Sequence, residues 1–275
     1  MSDLEQRVAE TIRSRKMILP GDRVAVALSG GKDSTALLML LCRLLPAWDD
    51  VRLTAITIDE GILGYREDTI RSAERLVGKY GLDHIRISFA DLFGGSLDEI
   101  LKDRQSGACS VCGILRRKAL IVAARRAGAT RLATGHNLDD EAQSVLMNLL
   151  RGDLPRLVRD SSHNSSGQFI PRIKPLGLVS EKEIATYLML QGAWVDLPEC
   201  PYTLHALRRE VRAMLSTLEY QYPGTMLHLM ESKRKIEGYC GEETLAGPIR
   251  SCRECGEPCS GEICQFCQLR QSLGR

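Results

Sequence analysis

Residues 24–34 read VAVALSGGKDS, and no other run restricts the chain as strongly. An apolar, largely β-branched stretch (Val24, Val26, Leu28) stops at Ser29-Gly30-Gly31-Lys32-Asp33-Ser34. A long apolar helical pattern follows at once, from Ala36 to Leu45. Strand, glycine turn and helix start together build an anion site. Backbone N–H groups of the turn and the positive end of the helix dipole converge on one place. The two glycines let the backbone approach a phosphate closely. Ser29 and Ser34 add hydroxyl donors, and Lys32 adds a mobile positive charge. The spacing is not the G-x-x-x-x-G-K-[ST] of a Walker loop.

Strand candidates at 23–28, 51–58, 84–89 and 131–134 alternate with helical patterns at 33–45, 65–80, 112–127 and 137–151, after a short helix at 4–16. That alternation predicts an α/β fold with a doubly wound parallel sheet. The stretch 152–170, rich in Gly, Ser, Asp and Asn, reads as a loop. Further helices are expected at 180–191, 204–217 and 221–237. The final thirty or so residues carry many Cys, Gly and Glu with little periodicity, and read as a small separate module. The expected division is therefore an N-terminal helix at 1–20, a phosphate-binding catalytic domain at 21–180, a helical extension at 181–245 and a terminal metal module at 246–275. With 275 residues, 44% of them hydrophobic, the chain can bury one large core plus such an appendage.

The formal net charge of +2 does not announce nucleic acid. Local clusters must carry that argument. They are Arg116-Arg117-Lys118, Arg125-Arg126, Arg151/Arg156/Arg159, Arg208-Arg209 and Lys233-Arg234-Lys235. Each alone reads as a solvated helix face; several on one side would make a phosphate track. No stretch approaches the apolar length of a membrane span, and MSDLEQRVAETIRSRK lacks the apolar core of a secretory signal. A cytoplasmic location is expected, where the ten cysteines stay reduced.

Their spacing points to metal or cluster chemistry. Cys252-x2-Cys255 and Cys264-x2-Cys267 are separated by eight residues, which fits a tetrahedral zinc ribbon or a rubredoxin-like site. Zinc is preferred because it needs no redox role, and so short a module needs metal to fold. Cys259, between the knuckles, reads as a spare thiol. Cys109-Ser110-Val111-Cys112 is a third C-x2-C without a nearby partner, and Cys200, in Pro198-Glu199-Cys200-Pro201, is its candidate third member. Three thiolates can hold a 4Fe–4S cluster with one iron open. A redox C-x2-C pair is the rival reading. Cys42 reads as a packed small hydrophobe, and Cys240 has no evident role.

The hexapeptide SGGKDS resembles the PP-loop, S-G-G-x-D-S, of the ATP-pyrophosphatase superfamily, whose members cleave ATP between the α and β phosphates. Beside such a loop, ATGHNLDDEAQ (133–143) makes sense as part of a Mg-ATP site at the C-terminal edge of the sheet. An Asp there can hold Mg²⁺ or position a nucleophile. Asp139, Asp140 and Glu141 also suit a helix's first turn for macrodipole reasons alone. Asp59 ends the second strand on the same edge, and the backbone at Ile58 is placed to read adenine.

SGGKDS, CSVCG-x-x-RR, ATGHNLDDEAQ, PECP and the terminal pair of C-x2-C knuckles occur in that order. The ordered set resembles the tRNA 2-thiouridine synthetase family, of the TtuA and NcsA type, over roughly residues 5–270. The resemblance implies a Rossmann-like PP-loop domain with C-terminal helices and a small zinc ribbon. It also implies ATP-dependent sulfur delivery to C2 of a tRNA uridine. Carried over by position, the cluster ligands are Cys109, Cys112 and Cys200, and the zinc ligands Cys252, Cys255, Cys264 and Cys267. ATP contacts are Ala27, Ser29, Gly30, Gly31, Lys32, Asp33, Ser34, Ile58, Asp59 and Gly135. The catalytic acid is Asp140. Arg116 stands four places after the second cluster cysteine, where some relatives have Lys; arginine keeps the charge but gives up no proton readily. The implied cofactors are ATP, Mg²⁺, a 4Fe–4S cluster and Zn²⁺. The implied partners are tRNA and a sulfur donor: sulfide, a persulfide or a thiocarboxylated ubiquitin-like protein. A homodimer is left open. Many relatives open with a Cys/His zinc module, whereas here no Cys precedes Cys42 and no His precedes His84. That difference leaves the tRNA grip, and the choice between wobble and T-loop uridine, open.

Three alternatives remain at this level. A tRNA 2-thiocytidine synthetase shares the loop and a three-cysteine cluster. A PP-loop amidotransferase or ligase explains SGGKDS but gives Cys109, Cys112 and Cys200 no task. A non-enzymatic RNA- or metal-binding module explains the tail but not the phosphate loop.

Overall fold

The alternation in VAVAL has a period of two, which sends successive side chains to opposite faces of a strand. In the computed structural model, which describes residues 2–102, 107–158, 170–194, 198, 200–203, 207–240 and 250–273, this run forms β1 (Arg23–Ala27). Val24, Val26 and Leu28 enter one core while Ala25 enters the other. A strand buried on both faces belongs in the middle of a sheet. Its companions are β2 (Arg52–Asp59), β3 (Asp83–Ser88), β4 (Arg131–Ala133) and β5 (Arg172–Ile173). All pair in parallel, in the order β3-β2-β1-β4-β5. The edge strand β5 is absent from the sequence reading. It pairs only Arg172 with Leu132 and Ile173 with Ala133, too short a run to show a period.

Helices cover both faces. On one lie α1 (Asp3–Ser14), α2 (Lys32–Leu44), α3 (Arg66–Tyr80) and, later in the chain, a helix at Glu181–Leu190. They bury Val8, Ile12, Leu37, Ala73 and Ile184 against the sheet. The other face takes α4 (Phe89–Phe93), α5 (Leu97–Ile100) and α6 (Ala108–Arg126). There Phe89, Leu97, Leu115, Ala119 and Ala123 form the second core. After β4 come α7 (Leu138–Leu150), α8 (Leu154–Val158), α9 (the Glu181–Leu190 helix), α10 (Leu207–Gln221) and α11 (Thr225–Cys240). α7, α10 and α11 share a small third core of Leu138, Ala142, Val211, Leu215 and Met226.

Several boundaries differ from expectation for local reasons. The cysteine-bearing helix starts at Ala108 rather than 112, because Gly107, with φ +83°, turns the chain into it. Both Cys109 and Cys112 therefore ride on its first turns. Phe89 leaves the third strand because Ser88 and Asp91 form a reciprocal cap that begins α4. Between α10 and α11 the break falls at Pro223-Gly224, with Gly224 at φ +95°. Arg159, Glu199 and most of the 152–170 segment lie outside the described residues.

The terminal segment folds as a two-stranded antiparallel ribbon, Arg250–Ser251 with Pro258–Cys259, followed by a helix at Gln265–Ser272. It rests on α6. Glu257 accepts from Lys118 Nζ at 2.9 Å and from Arg125 Nη2 at 2.9 Å. Phe266 packs 5.5 Å from the Phe93 ring, and Leu269 joins the second core.

Candidate active site

The phosphate loop leaves β1 and enters α2 with Gly31 as N-cap, and no side chain caps that end. The first amides of the helix thus point outward without an internal partner, as an anion site requires. The loop is braced from within. Ser34 Oγ lies 3.0 Å from Ser29 Oγ and from the Gly31 carbonyl, and it accepts from Ser29 N at 3.1 Å. The two glycines differ. Gly30 has φ +87°, and a Cβ there would stand 1.8 Å from the Thr69 carbonyl oxygen of α3. Gly31 has φ −74°, and its nearest neighbour would be Ser29 Oγ at 3.5 Å. Gly30 is therefore fixed by folding, and Gly31 is the position left for ligand approach.

The second half of the site meets the loop directly. A Cβ on Gly135 would lie 2.9 Å from Ser34 N, so the β4–α7 turn packs on the start of α2. Asn137 caps α7 with Asp140 as its reciprocal partner, and its Nδ2 donates to Asp33 Oδ1 at 3.0 Å. Lys32 Nζ is held by Asp33 Oδ2 at 3.0 Å and Glu181 Oε1 at 2.9 Å. Burial raises the Asp140 carboxyl above the ordinary value; Arg208 opposes this and the nearby Asp33 adds to it. Arg208 Nη1 stands 3.4 Å from Asp140 Oδ1. Burial, with Lys174 next, pushes His136 down, so the imidazole is neutral. The carboxylates here form no preassembled cation cage among the described residues. A Mg²⁺ ion bound through one or two carboxylates plus nucleotide phosphates needs none.

Two expected ATP contacts are already engaged. Asp59 Oδ2 accepts from Arg86 at 2.7 Å and its Oδ1 from Gly61 N at 3.0 Å. It lines a cavity of about 510 Å³ with Ile62, Arg66 and Arg86, beside α3. The Ile58 carbonyl accepts from Arg66 Nη2, though a carbonyl retains a second lone pair. Ala27 ends β1 opposite Ile56.

The cysteines form two groups. Cys109 is exposed and donates to the Tyr202 carbonyl at 3.3 Å; Cys112 is buried and Cys200 half-buried. Cys112 and Cys200 both pack on the second core. Burial pushes the Cys112 thiol up to about 11, with Arg116 opposing. Four thiolates around one zinc ion at about 2.3 Å would stand about 3.8 Å apart. Cys109, Cys112 and Cys200 do not all lie within 4.8 Å of one another, whereas Cys252, Cys255, Cys264 and Cys267 do. The first trio thus offers no preformed single-ion site, and its three sulfurs are the donor type that iron–sulfur clusters use. The tail quartet fits a single tetrahedral ion. There Cys255 Sγ and Cys264 Sγ are 3.6 Å apart, and Cys264 N donates to Cys252 Sγ at 3.3 Å. That N–H, ahead of opposing burial, holds the Cys252 thiol below its ordinary value.

A charged triad, buried at Glu60 and Arg66 and half exposed at Arg116, joins the two halves. Glu60, with its side chain 4% exposed, has Oε2 2.6 Å from Arg66 Nε and Oε1 2.6 Å from Arg116 Nε. Arg66 Nη1 donates to the Ser29 carbonyl of the phosphate loop at 3.0 Å. Arg116 Nη2 donates to Cys112 Sγ at 3.4 Å. Burial works against the Arg116 charge, but Glu60 and Cys112 outweigh it and raise its pKa, so Arg116 is a fixed cation here. Glu60, Arg66, Asn137 and Glu181 are not singled out in the sequence reading, and Arg208 appears there only as part of a basic cluster, not as the partner of Asp140. Asn137 had a local signal, the N-x-x-D cap. The others meet their partners only in three dimensions. Of the basic clusters, Lys118 and Arg125 are engaged by Glu257, and Lys233 and Lys235 by Glu237 and Glu231 within their own helix.

Residues 1–212 match the family model described as a PP-loop domain. The chain is 37% identical over 279 residues to cytoplasmic tRNA 2-thiolation protein 1 of Bos taurus, covering 98% of this chain and 80% of that one. It is 35% identical over 294 residues to the tRNA 2-thiolation protein NcsA of Haloferax volcanii, covering 99% and 91%. Among solved structures it is similar to the U34-tRNA thiolase NcsA from Methanococcus maripaludis with its [4Fe-4S] cluster. That match has a TM-score of 0.85 and 33% identity, over 99% of this chain and 88% of that one.

Proposed function

The chain belongs to the tRNA 2-thiolation family of PP-loop proteins, and from that premise we propose that it converts a tRNA uridine to 2-thiouridine at the expense of ATP. The observation that carries this reading is the triad. A single carboxylate, Glu60, ties the phosphate loop to the three-cysteine site through Arg66 and Arg116. A ligase without sulfur chemistry has no use for that connection.

ATP settles its phosphates on the open start of α2, against the Gly31 backbone and the Ser29 and Ser34 hydroxyls. Lys32 swings from its acidic partners to the phosphates, and Asp33 or Asp140 holds Mg²⁺. The uridine C2 oxygen attacks the α-phosphorus; the new P–O bond forms as pyrophosphate leaves with its electron pair. Asp140 and Arg208, paired at 3.4 Å, orient the base. A sulfur nucleophile then forms a bond to C2, and AMP leaves with the former C2 oxygen. Positioning and charge neutralisation supply most of the catalysis. The base must leave its stack, at a cost of about a few kcal/mol.

Cys109, Cys112 and Cys200 would hold a 4Fe–4S cluster, which with three protein thiolates offers one iron as a place for the incoming sulfur. Arg116, fixed against Cys112 Sγ, supplies positive charge to that anionic site. Cys252, Cys255, Cys264 and Cys267 would hold zinc and so fold the tail onto α6. The sulfur source is sulfide, a persulfide or a thiocarboxylated ubiquitin-like protein.

The test is reconstitution. Anaerobic protein with iron and acid-labile sulfide should thiolate tRNA, detected as 2-thiouridine by mass spectrometry of nucleosides. Cys→Ala variants at 109, 112 and 200 should each lose colour and thiolation. Iron-free protein as active as the reconstituted form would replace the cluster with persulfide chemistry at Cys109 and Cys112. The appearance of 2-thiocytidine instead would reassign the substrate.

A further inference from the structure

Glu60 sits at a point where two sites that must act in sequence share one charge. It is almost fully buried, so it cannot exchange a protein partner for water. Its Oε1 accepts a hydrogen bond from Arg116 Nε, and its Oε2 is ion-paired with Arg66 Nε at 2.6 Å without hydrogen-bond geometry. Arg66 is itself buried, at 4% exposure, and its guanidinium reaches three further groups: the Ser29 carbonyl, the Ile58 carbonyl and Thr69 Oγ1. Ser29 and Ile58 are the backbone positions assigned to the phosphates and adenine of ATP. On the far side, Arg116 ends on Cys112 Sγ. The path from the nucleotide loop to the sulfur is therefore loop carbonyl, guanidinium, carboxylate, guanidinium, sulfur, with a hydrogen bond or ion pair at every junction.

At the Arg66 and Glu60 end the surroundings leave little slack. The Thr69 backbone presses on Gly30 so closely that no Cβ fits between them. Leu97 N donates to the Glu60 carbonyl at 2.7 Å. Close-packed interiors pass small displacements on rather than absorb them. The triad also carries a net charge of +1, two guanidinium groups against one carboxylate, and one of the two cations, Arg116, donates to Cys112 Sγ. That arrangement suits an anionic sulfur.

We infer that Glu60 is a positioning residue that holds Arg66 on the nucleotide loop and Arg116 on the Cys112 sulfur as one unit, so that filling the loop changes the environment of Cys112. This rests on the ATP reading of the loop. Adenylation and sulfur transfer occur in order, and such a link lets the cysteine site register that nucleotide is in place. A coupling of this kind is reciprocal: whatever occupies the cysteine site alters nucleotide affinity by the same factor.

The experiment needs no cluster. The full-length chain, prepared without iron and kept reduced, is treated with iodoacetamide, with and without Mg²⁺ and the non-cleavable analogue α,β-methylene-ATP. The rate of Cys112 alkylation is read by peptide mass spectrometry. Cys42, packed against the core on the opposite face of the sheet, serves as internal reference. Calorimetry records binding of the analogue in the same samples. In the parent protein the analogue should change the Cys112 rate at least about five-fold and leave Cys42 unchanged. Glu60→Gln should still bind the analogue and show a Cys112 rate indifferent to it. Arg116→Met, which keeps the Glu60–Arg66 pair, should show the same loss of response, and it decides the matter if Glu60→Gln does not fold. Analogue binding with no change at Cys112 in the parent overturns the coupling alone. A response that survives in both variants overturns the role of Glu60. A parent protein that binds no analogue sinks the ATP reading and the coupling with it.

Discussion

Replacing the two loop glycines by alanine separates what the fold needs from what the ligand needs. At Gly30 the added methyl must adopt φ +87° and stand 1.8 Å from the Thr69 carbonyl oxygen. The left-handed conformation costs about 1–2 kcal/mol. Forcing α3 away adds about 1–3 kcal/mol by analogy with overpacked cores. The expected loss is thus about 2–5 kcal/mol. Gly64 supplies the control, because it has φ +71° but nothing within 4 Å of an added methyl; its alanine variant should lose only the conformational part, about 1–2 kcal/mol. At Gly31 neither penalty applies, since φ is −74° and the nearest atom would be 3.5 Å away. Gly31→Ala should change stability by less than about 1 kcal/mol. Its methyl would nonetheless crowd the approach to the first amides of α2, and ATP affinity should fall about ten-fold, or 1.4 kcal/mol. Urea unfolding followed by tryptophan fluorescence measures the stabilities; Trp48 packs against the first core and reports on it. Calorimetry with ATP measures binding. If Gly30→Ala and Gly64→Ala lose the same stability, the close approach of α3 to the loop is not what fixes Gly30.

The acid and the tail give three more expectations. The folded-state pKa of Asp140 is raised by burial, so the folded state holds a proton that the unfolded chain loses near about 3.9. Stability then falls as pH rises from that value through the raised one, and Asp140→Asn, spared this, should melt no lower than the parent at neutral pH while thiolation is lost. A lower melting temperature for Asp140→Asn would show that Arg208 outweighs the burial. Glu257 is shifted the other way: burial opposes ionisation, but Arg125 and Lys118 outweigh it and lower its pKa. Its contribution to holding the tail is present above about 4.3 and lost as pH falls through the lower folded value. Glu257→Gln should weaken tail docking by about 2 kcal/mol, seen as faster proteolytic release of the tail at an unchanged main melting transition; unchanged cleavage would remove Glu257 as the anchor. Cys264→Ser should lose zinc and unfold the tail while the iron chromophore stays, and full zinc on metal analysis would discard the tetrahedral site.

Local patterns carry what the sequence alone determined. The period-two run into SGGKDS fixed β1, the phosphate loop and the start of α2, because a strand, a turn and a helix cap are each written in neighbouring residues. The paired C-x2-C knuckles fixed the tail quartet for the same reason: ligand spacing within a tight turn is a local property. The parallel sheet followed from alternation of strand and helix patterns. Tertiary structure decided the rest. Nothing in DEGILGYRED marks Glu60 as the partner of Arg116, which lies 56 residues away, or Arg66 as a ligand of the Ser29 carbonyl. A salt bridge between distant residues leaves no periodicity. Asn137 was readable as a cap, but not as the donor to Asp33, 104 residues distant. Gly30 and Gly31 look equivalent in the sequence; only the arrival of Thr69 from α3 makes one obligatory for folding and leaves the other to the ligand. Residues chosen by their neighbours along the chain are legible in one dimension, while residues chosen by contacts across the fold become legible only when the packing brings those contacts together.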